Sequence, residues 1–171
     1  MDEKKLNVVR IKLIDDAPLL SHEKVATPAD AIRLMQDEVG NCDREIFCAL
    51  HINARGKPLS MSVISIGELT ATLVHPREAF KASILSNASS VIFMHNHPGG
   101  DVYPSQEDIK TTGRLEKAGE ILGIHVVDHL IVAESKETFY SFRAKTVQTF
   151  DDLKRANPKK REEKSKDREA R

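Results

Sequence analysis

His95 and His97, with Asp108 eleven residues further on, have the types and the spacing to do chemistry. They stand in the segment His95-Asn96-His97-Pro98-Gly99-Gly100-Asp101-Val102-Tyr103-Pro104-Ser105-Gln106-Glu107-Asp108. Side chains two apart on an extended strand point to the same face. His95 and His97 therefore project together from a strand end, which Pro98 closes. Gly99 and Gly100 let the chain turn sharply into a helix opened by Ser105. Asp108 falls in the first turn of that helix, where the helix dipole favours the anion. Two imidazole nitrogens and one carboxylate oxygen, with a fourth position left for water, make the ligand set of a catalytic zinc. Closed structural zinc sites use four protein ligands and more thiolate.

Each piece also has a plainer reading. Ser105-x-x-Asp108 is a good N-terminal cap, with the acid at N3. A histidine ending an apolar strand is commonly a satisfied core or rim residue. The combination of His-x-His at a strand end, a Gly/Pro turn and a helix-opening Ser-x-x-Asp favours a metal site, and Ser105 can cap the helix while facing it. A hydrolytic zinc also needs a base for its water. Glu45 stands out because it opens the apolar strand EIFCALHI. A charge there is either turned to solvent, the commoner case, or placed at a site. Spacing alone does not choose between them.

The surrounding pattern alternates strands and helices. Strand character is expected at residues 6–14, 45–52, 59–66, 70–75, 89–95, 124–132 and 138–142, from alternating or short apolar runs bounded by turn residues. Thr27 as N-cap and Pro28 at N1 open a helix that carries Ile32, Leu34, Met35 and Val39 and stops at Gly40. A second helix is expected over residues 77–87. A long amphipathic third follows Ser105 and ends at Gly123, with Ile109, Leu115, Ala118 and Leu122 on one face. SSVIFMH (89–95) is wholly apolar, as a central strand would be. From Asp151 onward the chain is almost devoid of apolar residues and mixes both charge signs, so a solvated, frayed or disordered extension is expected.

The 171 residues suit one domain, large enough to bury roughly 70% of its unfolded surface without a metal to hold it together. A metal site here would serve chemistry rather than folding. Lys+Arg and Asp+Glu are 26 each and aromatics are 5%, which argues against a nucleic-acid footprint of basic face and stacking rings. Direct nucleic-acid binding is therefore not expected. Cys42 and Cys48 form no C-x-x-C pair, and Cys48 reads as a small buried hydrophobe. MDEKK at the start has no apolar signal core, and no apolar run approaches the ~20 residues that span a bilayer. A cytoplasmic protein with no membrane partner is the expectation. The oligomeric state leaves no signal.

HNHPGGDVYPSQED resembles the JAMM motif of the JAB/MPN metalloproteins: Glu, then His-x-His-Pro, then Ser-x-x-Asp. More closely the chain resembles the bacterial RadC proteins. Asp43-Arg44-Glu45-x-Phe47, Leu73-Val74-His75-Pro76-Arg77-Glu78, His95-Asn96-His97-Pro98, Gly100-Asp101, Pro104-Ser105 with Asp108, Leu122-Gly123-Ile124 and Asp128-His129 all carry the likeness, which runs from Thr27 to Phe142. Gly99 and Tyr103 depart from it, at positions that are not ligands. The resemblance implies an α/β fold, the deaminase-like MPN (JAB) fold with a curved mixed sheet flanked by helices. It implies one zinc ion per chain on His95, His97 and Asp108, with Glu45 as general acid/base toward the zinc-bound water. It implies Ser105 as a donor to the oxyanion. The reaction would be hydrolysis of a peptide or isopeptide bond in a protein or peptide substrate. Asn96 stands where eukaryotic deubiquitinases carry Ser or Thr, and the segments around the motif are short, so a ubiquitin-like substrate is not implied.

On this reading residues 1–26 are a lead-in with a first strand, 27–145 form the metal-binding domain, and 146–171 are a charged tail. The chain looks like a short stand-alone form without the N-terminal helix-hairpin-helix region of longer RadC proteins. Other functional readings are a non-catalytic MPN-type interaction module and a DNA-repair or mobile-element accessory protein. A zinc nucleobase deaminase would need H-x-E and P-C-x-x-C, and neither occurs. Asp128 and His129, adjacent on a strand and so facing opposite ways, read as structural.

Overall fold

The computed structural model describes residues 13, 24–39, 42–67, 74–133 and 138–149. Six strands form one mixed sheet: β1 (Ile46–Ile52), β2 (Pro58–Ile66), β3 (Ser90–His97), β4 (His125–Ala133), β5 (Thr138–Ser141) and β6 (Thr146–Thr149). Their order across the sheet is β2-β1-β3-β4-β5-β6. Only β3 and β4 run parallel, and the other neighbours are antiparallel. Helix α4 (Gln106–Leu122) lies between β3 and β4 in sequence, the crossover that a parallel pair requires.

Both faces of the sheet are covered. Helix α1 (Pro28–Val39) brings Ile32, Met35 and Val39 against Cys48, Leu50 and Met94 on one face. Phe47, Ala49, Val91 and Phe93 point to the opposite face, where Phe80 and Leu115 of α4 meet them. All seven residues of β1 are buried, which accounts for its unbroken apolar run. Helix α4 lies tight against the start of β4 at Gly119, where an added Cβ would stand 2.6 Å from the Ile124 carbonyl oxygen. Gly123 closes α4 in the left-handed conformation, φ 69°.

Three expectations need correcting. The single helix over 77–87 is two short pieces, α2 (Pro76–Ala79) and α3 (Lys81–Leu85). Phe80 between them sits at φ −99°, ψ −3°, with its ring edge-on to Phe93 at 5.6 Å. Core packing of that ring overrides the local helical preference. Strand β6 was not anticipated: four residues hairpinned onto β5, with Lys145 at φ 55° in the turn. The sheet thus runs past residue 145, where the charged tail was expected to begin. In the expected strand 70–75, Val74 and His75 form no strand, and 70–73 lie outside the described residues. So do Gly40, the tail from Asp151, and the expected strand 6–14 apart from Leu13.

Candidate metal centre

The centre is built where β3 ends and α4 begins. β3 continues through His97, in register with Ala133 at the end of β4, so both imidazoles emerge from the middle of the sheet. Ser105 caps α4, and the cap is reciprocal. The Asp108 backbone N–H donates to Ser105 Oγ at 3.1 Å, and the Ser105 N–H donates to Asp108 Oδ2 at 2.8 Å. The Ser105 hydroxyl also donates to Oδ2 at 2.6 Å. Oδ2 is thereby engaged by the cap and also lies nearest His97, and Oδ1 faces His95. The cap reading and the ligand reading of Ser-x-x-Asp both hold. Thr27 and Asp30 make the same box at the start of α1.

The mutual distances decide what can sit here. His95 Nε2 lies 3.0 Å from His97 Nε2 and 3.3 Å from Asp108 Oδ1, and His97 Nε2 lies 3.6 Å from Asp108 Oδ2. Ligands about 2.0–2.1 Å from a tetrahedral zinc stand about 3.3 Å from one another. The separations between the imidazoles and from each imidazole to its nearer carboxylate oxygen are close to that size. Among the described residues, His95, His97 and Asp108 form a group able to hold a metal ion. The donor set of two imidazoles and one carboxylate fits zinc.

The electrostatics suit a cation. Burial pushes the His95 imidazole down to about 3, so it is neutral at physiological pH and able to ligate. Burial also lowers His97, but the Asp108 carboxylate, the Asp101 carbonyl and the charge of Glu45 outweigh it and raise its pKa. Asp108 is itself buried, which would raise its pKa. The His97 and His95 rings and the Ser105 donors hold it below the usual carboxylate range instead. The His97 side chain is 17% exposed, whereas His95 is 0% and Asp108 3% exposed, so solvent reaches the centre from the His97 side. His97 Nδ1 lies 2.7 Å from the Asp101 carbonyl. A carbonyl only accepts, so this nitrogen carries the proton and Nε2 is left to the site.

Glu45 immediately precedes β1, and Phe47, two residues on, stacks on His95 at 5.8 Å. The charge of Glu45 acts on His97. Asn96 fixes the backbone around it. Its Oδ1 accepts from the Ile46 N–H at 2.7 Å, and its Nδ2 donates to the Arg44 carbonyl at 3.0 Å and the Cys42 carbonyl at 3.4 Å. A side-chain amide thus grips the backbone on both sides of Glu45, one step past the last β1–β3 rung, Phe47↔His95.

Two residues that sequence reasoning assigned to structure divide. Asp128 accepts from Ser141 Oγ at 2.6 Å and from the backbone N–H groups of His129 and Arg143, tying β4 to the β5–β6 hairpin. His129, in contrast, reaches His95 directly, Nε2 to Nδ1 at 2.8 Å. Its signal in the sequence was the Asp128-His129 pair. The geometry that gives it meaning is the parallel register Phe93↔His129, which places it beside His95 on the same face.

A mixed sheet with His-x-His at the end of a central strand, and a capping Asp on the following helix, is the arrangement of a JAB/MPN-type domain with a group able to hold a metal ion. Residues 25–147 match the family described as "RadC-like JAB domain", and the chain belongs to that family. It is 46% identical over 112 residues to a UPF0758 protein of Caldanaerobacter subterraneus subsp. tengcongensis, covering 66% of this chain and 48% of that protein. A UPF0758 protein of Desulforamulus reducens is 46% identical over 114 residues, 67% of this chain and 50% of its own length. One from Moorella thermoacetica is 44% identical over 119 residues, 70% and 52%. The chain spans about half the length of these curated relatives. No helix among the described residues is long and apolar enough to cross a membrane.

Proposed function

We propose that this domain is a zinc-dependent hydrolase of peptide or isopeptide bonds, with His95, His97 and Asp108 as ligands. The observation that carries the reading is the convergence of His95 Nε2, His97 Nε2 and the Asp108 carboxylate, with separations of 3.0 Å between the imidazoles and 3.3 and 3.6 Å to the two carboxylate oxygens. Zinc held there would act as a Lewis acid and lower the pKa of a coordinated water to about 7. Glu45 would take the proton from the attacking water as its oxygen bonds the substrate carbonyl carbon. Glu45 would then return that proton to the leaving amine as the C–N bond breaks. Ser105 would donate to the oxyanion, its hydroxyl turning from Asp108 Oδ2 to do so. The retention of all three ligands together with Glu45 weighs against a non-catalytic interaction module. The substrate proposed is a protein or peptide.

Elemental analysis by mass spectrometry of the purified chain should return about one zinc per chain, and His97→Ala should lose it. Glu45→Gln should keep the metal and abolish cleavage of a peptide library that the wild type cuts. A zinc-free wild type that also fails reconstitution would overturn the metal assignment. A Glu45→Gln variant as fast as wild type would remove Glu45 from the chemistry.

A further inference from the structure

We infer that Thr112 and His129 are positioning residues that set the tautomer of His95, turning its Nε2 lone pair to the metal position through one directed hydrogen-bond chain. The chain can be followed from either end. Thr112 Oγ1 lies 2.7 Å from the Asp108 backbone carbonyl. A carbonyl has no proton to give, and a hydroxyl has only one, so that proton points at Asp108. Thr112 Oγ1 also lies 2.6 Å from His129 Nδ1 and must accept there, which places the His129 proton on Nδ1. His129 Nε2 is then the acceptor of the 2.8 Å contact, and His95 Nδ1 the donor. His95 Nε2 is left as a bare lone pair beside His97 Nε2 and Asp108.

From the other end, a His95 that ligates through Nε2 must carry its proton on Nδ1, and the same directions follow back to the Asp108 carbonyl. This second direction rests on the zinc reading, whereas the first does not. The two agree at every link. The direction needs setting because the partner of His95 is another imidazole, which by itself could donate or accept. His97 needs no such device, having a backbone carbonyl as partner. The chain is buried. His129 is 1% exposed, stacks on Phe142 at 4.8 Å and meets the Phe47 ring edge at 5.2 Å, and both its nitrogens have protein partners. It also begins on Asp108 itself, so the backbone of one proposed ligand holds the ring of another. Hydrogen-bond partners of this kind typically change metal affinity by about 10–100-fold when removed.

The test pairs two variants with two readouts. Thr112→Val keeps the shape and removes the hydroxyl, and Thr112→Ser restores it. Imidazole nitrogen NMR of zinc-free wild type should show His129 protonated at Nδ1 and His95 at Nδ1. In Thr112→Val the His129 ring should populate its other tautomer, and competition with a zinc chelator should show affinity down about 10–100-fold. Thr112→Ser should match wild type in both. Wild-type His129 protonated at Nε2, or Thr112→Val with unchanged tautomers and unchanged zinc affinity, would overturn the inference. A lowered melting temperature in Thr112→Val without a tautomer change would also overturn it, showing a role in packing alone. A wild type that binds no zinc would strike the metal reading, while the zinc-free tautomers would still decide this one.

Discussion

At the residue scale, the two halves of the motif are legible because their chemistry is local. His-x-His needs only the period of a strand, and Ser-x-x-Asp only the first turn of a helix. Asn96 is less obvious, being the variable middle of His-x-His, yet it clamps the backbone around Glu45. Asn96→Ala would leave the buried Ile46 N–H without an acceptor, at a cost of about 1–3 kcal/mol. Urea unfolding should show that loss while zinc stoichiometry stays at the wild-type value. A variant as stable as wild type would mean that the clamp holds nothing. His129 and Thr112 could not be read from spacing. Their contacts span 34 residues to His95 and 17 residues between themselves, across a register that no local pattern announces.

At the element scale, periodicity located β1 to β5, α1 and α4, all of them elements with an apolar face to bury. It failed where tertiary packing decides. Phe80 breaks a helix in order to fill the core, and β6 is too short to show a pattern of its own. The joint between α4 and β4 matters most for the site, since α4 carries Asp108 and β4 carries His129. Gly119→Ala improves helix propensity by about 1 kcal/mol. The new Cβ, however, would meet the Ile124 carbonyl oxygen at 2.6 Å and Val126 Cγ2 at 3.0 Å. The clash is with backbone and outweighs propensity, so stability should fall by about 1–3 kcal/mol. A rise in melting temperature would show that the joint is looser than described.

At the scale of the whole molecule, the same burial that keeps His95 neutral acts on His51, away from the metal centre. Its ring bridges Ser83 Oγ at 2.8 Å and Ser62 Oγ at 2.9 Å between β1, α3 and β2, and burial pushes it down to about 4. An unfolded histidine titrates near 6.5, so between pH 6.5 and 4 the unfolded state binds more protons. Stability from this residue is present above that window and is lost as pH falls through it, by up to about 3 kcal/mol. Urea midpoints at several pH values should therefore drop more steeply in wild type than in His51→Gln, and parallel curves would contradict this. In the proposed function one zinc sits among two imidazoles and a carboxylate. X-ray absorption at the zinc edge, on protein loaded with one equivalent, tests it most directly. It should show nitrogen and oxygen neighbours at about 2.0–2.1 Å including two imidazoles. A sulfur neighbour at about 2.3 Å, or scattering from fewer than two imidazoles, would contradict it.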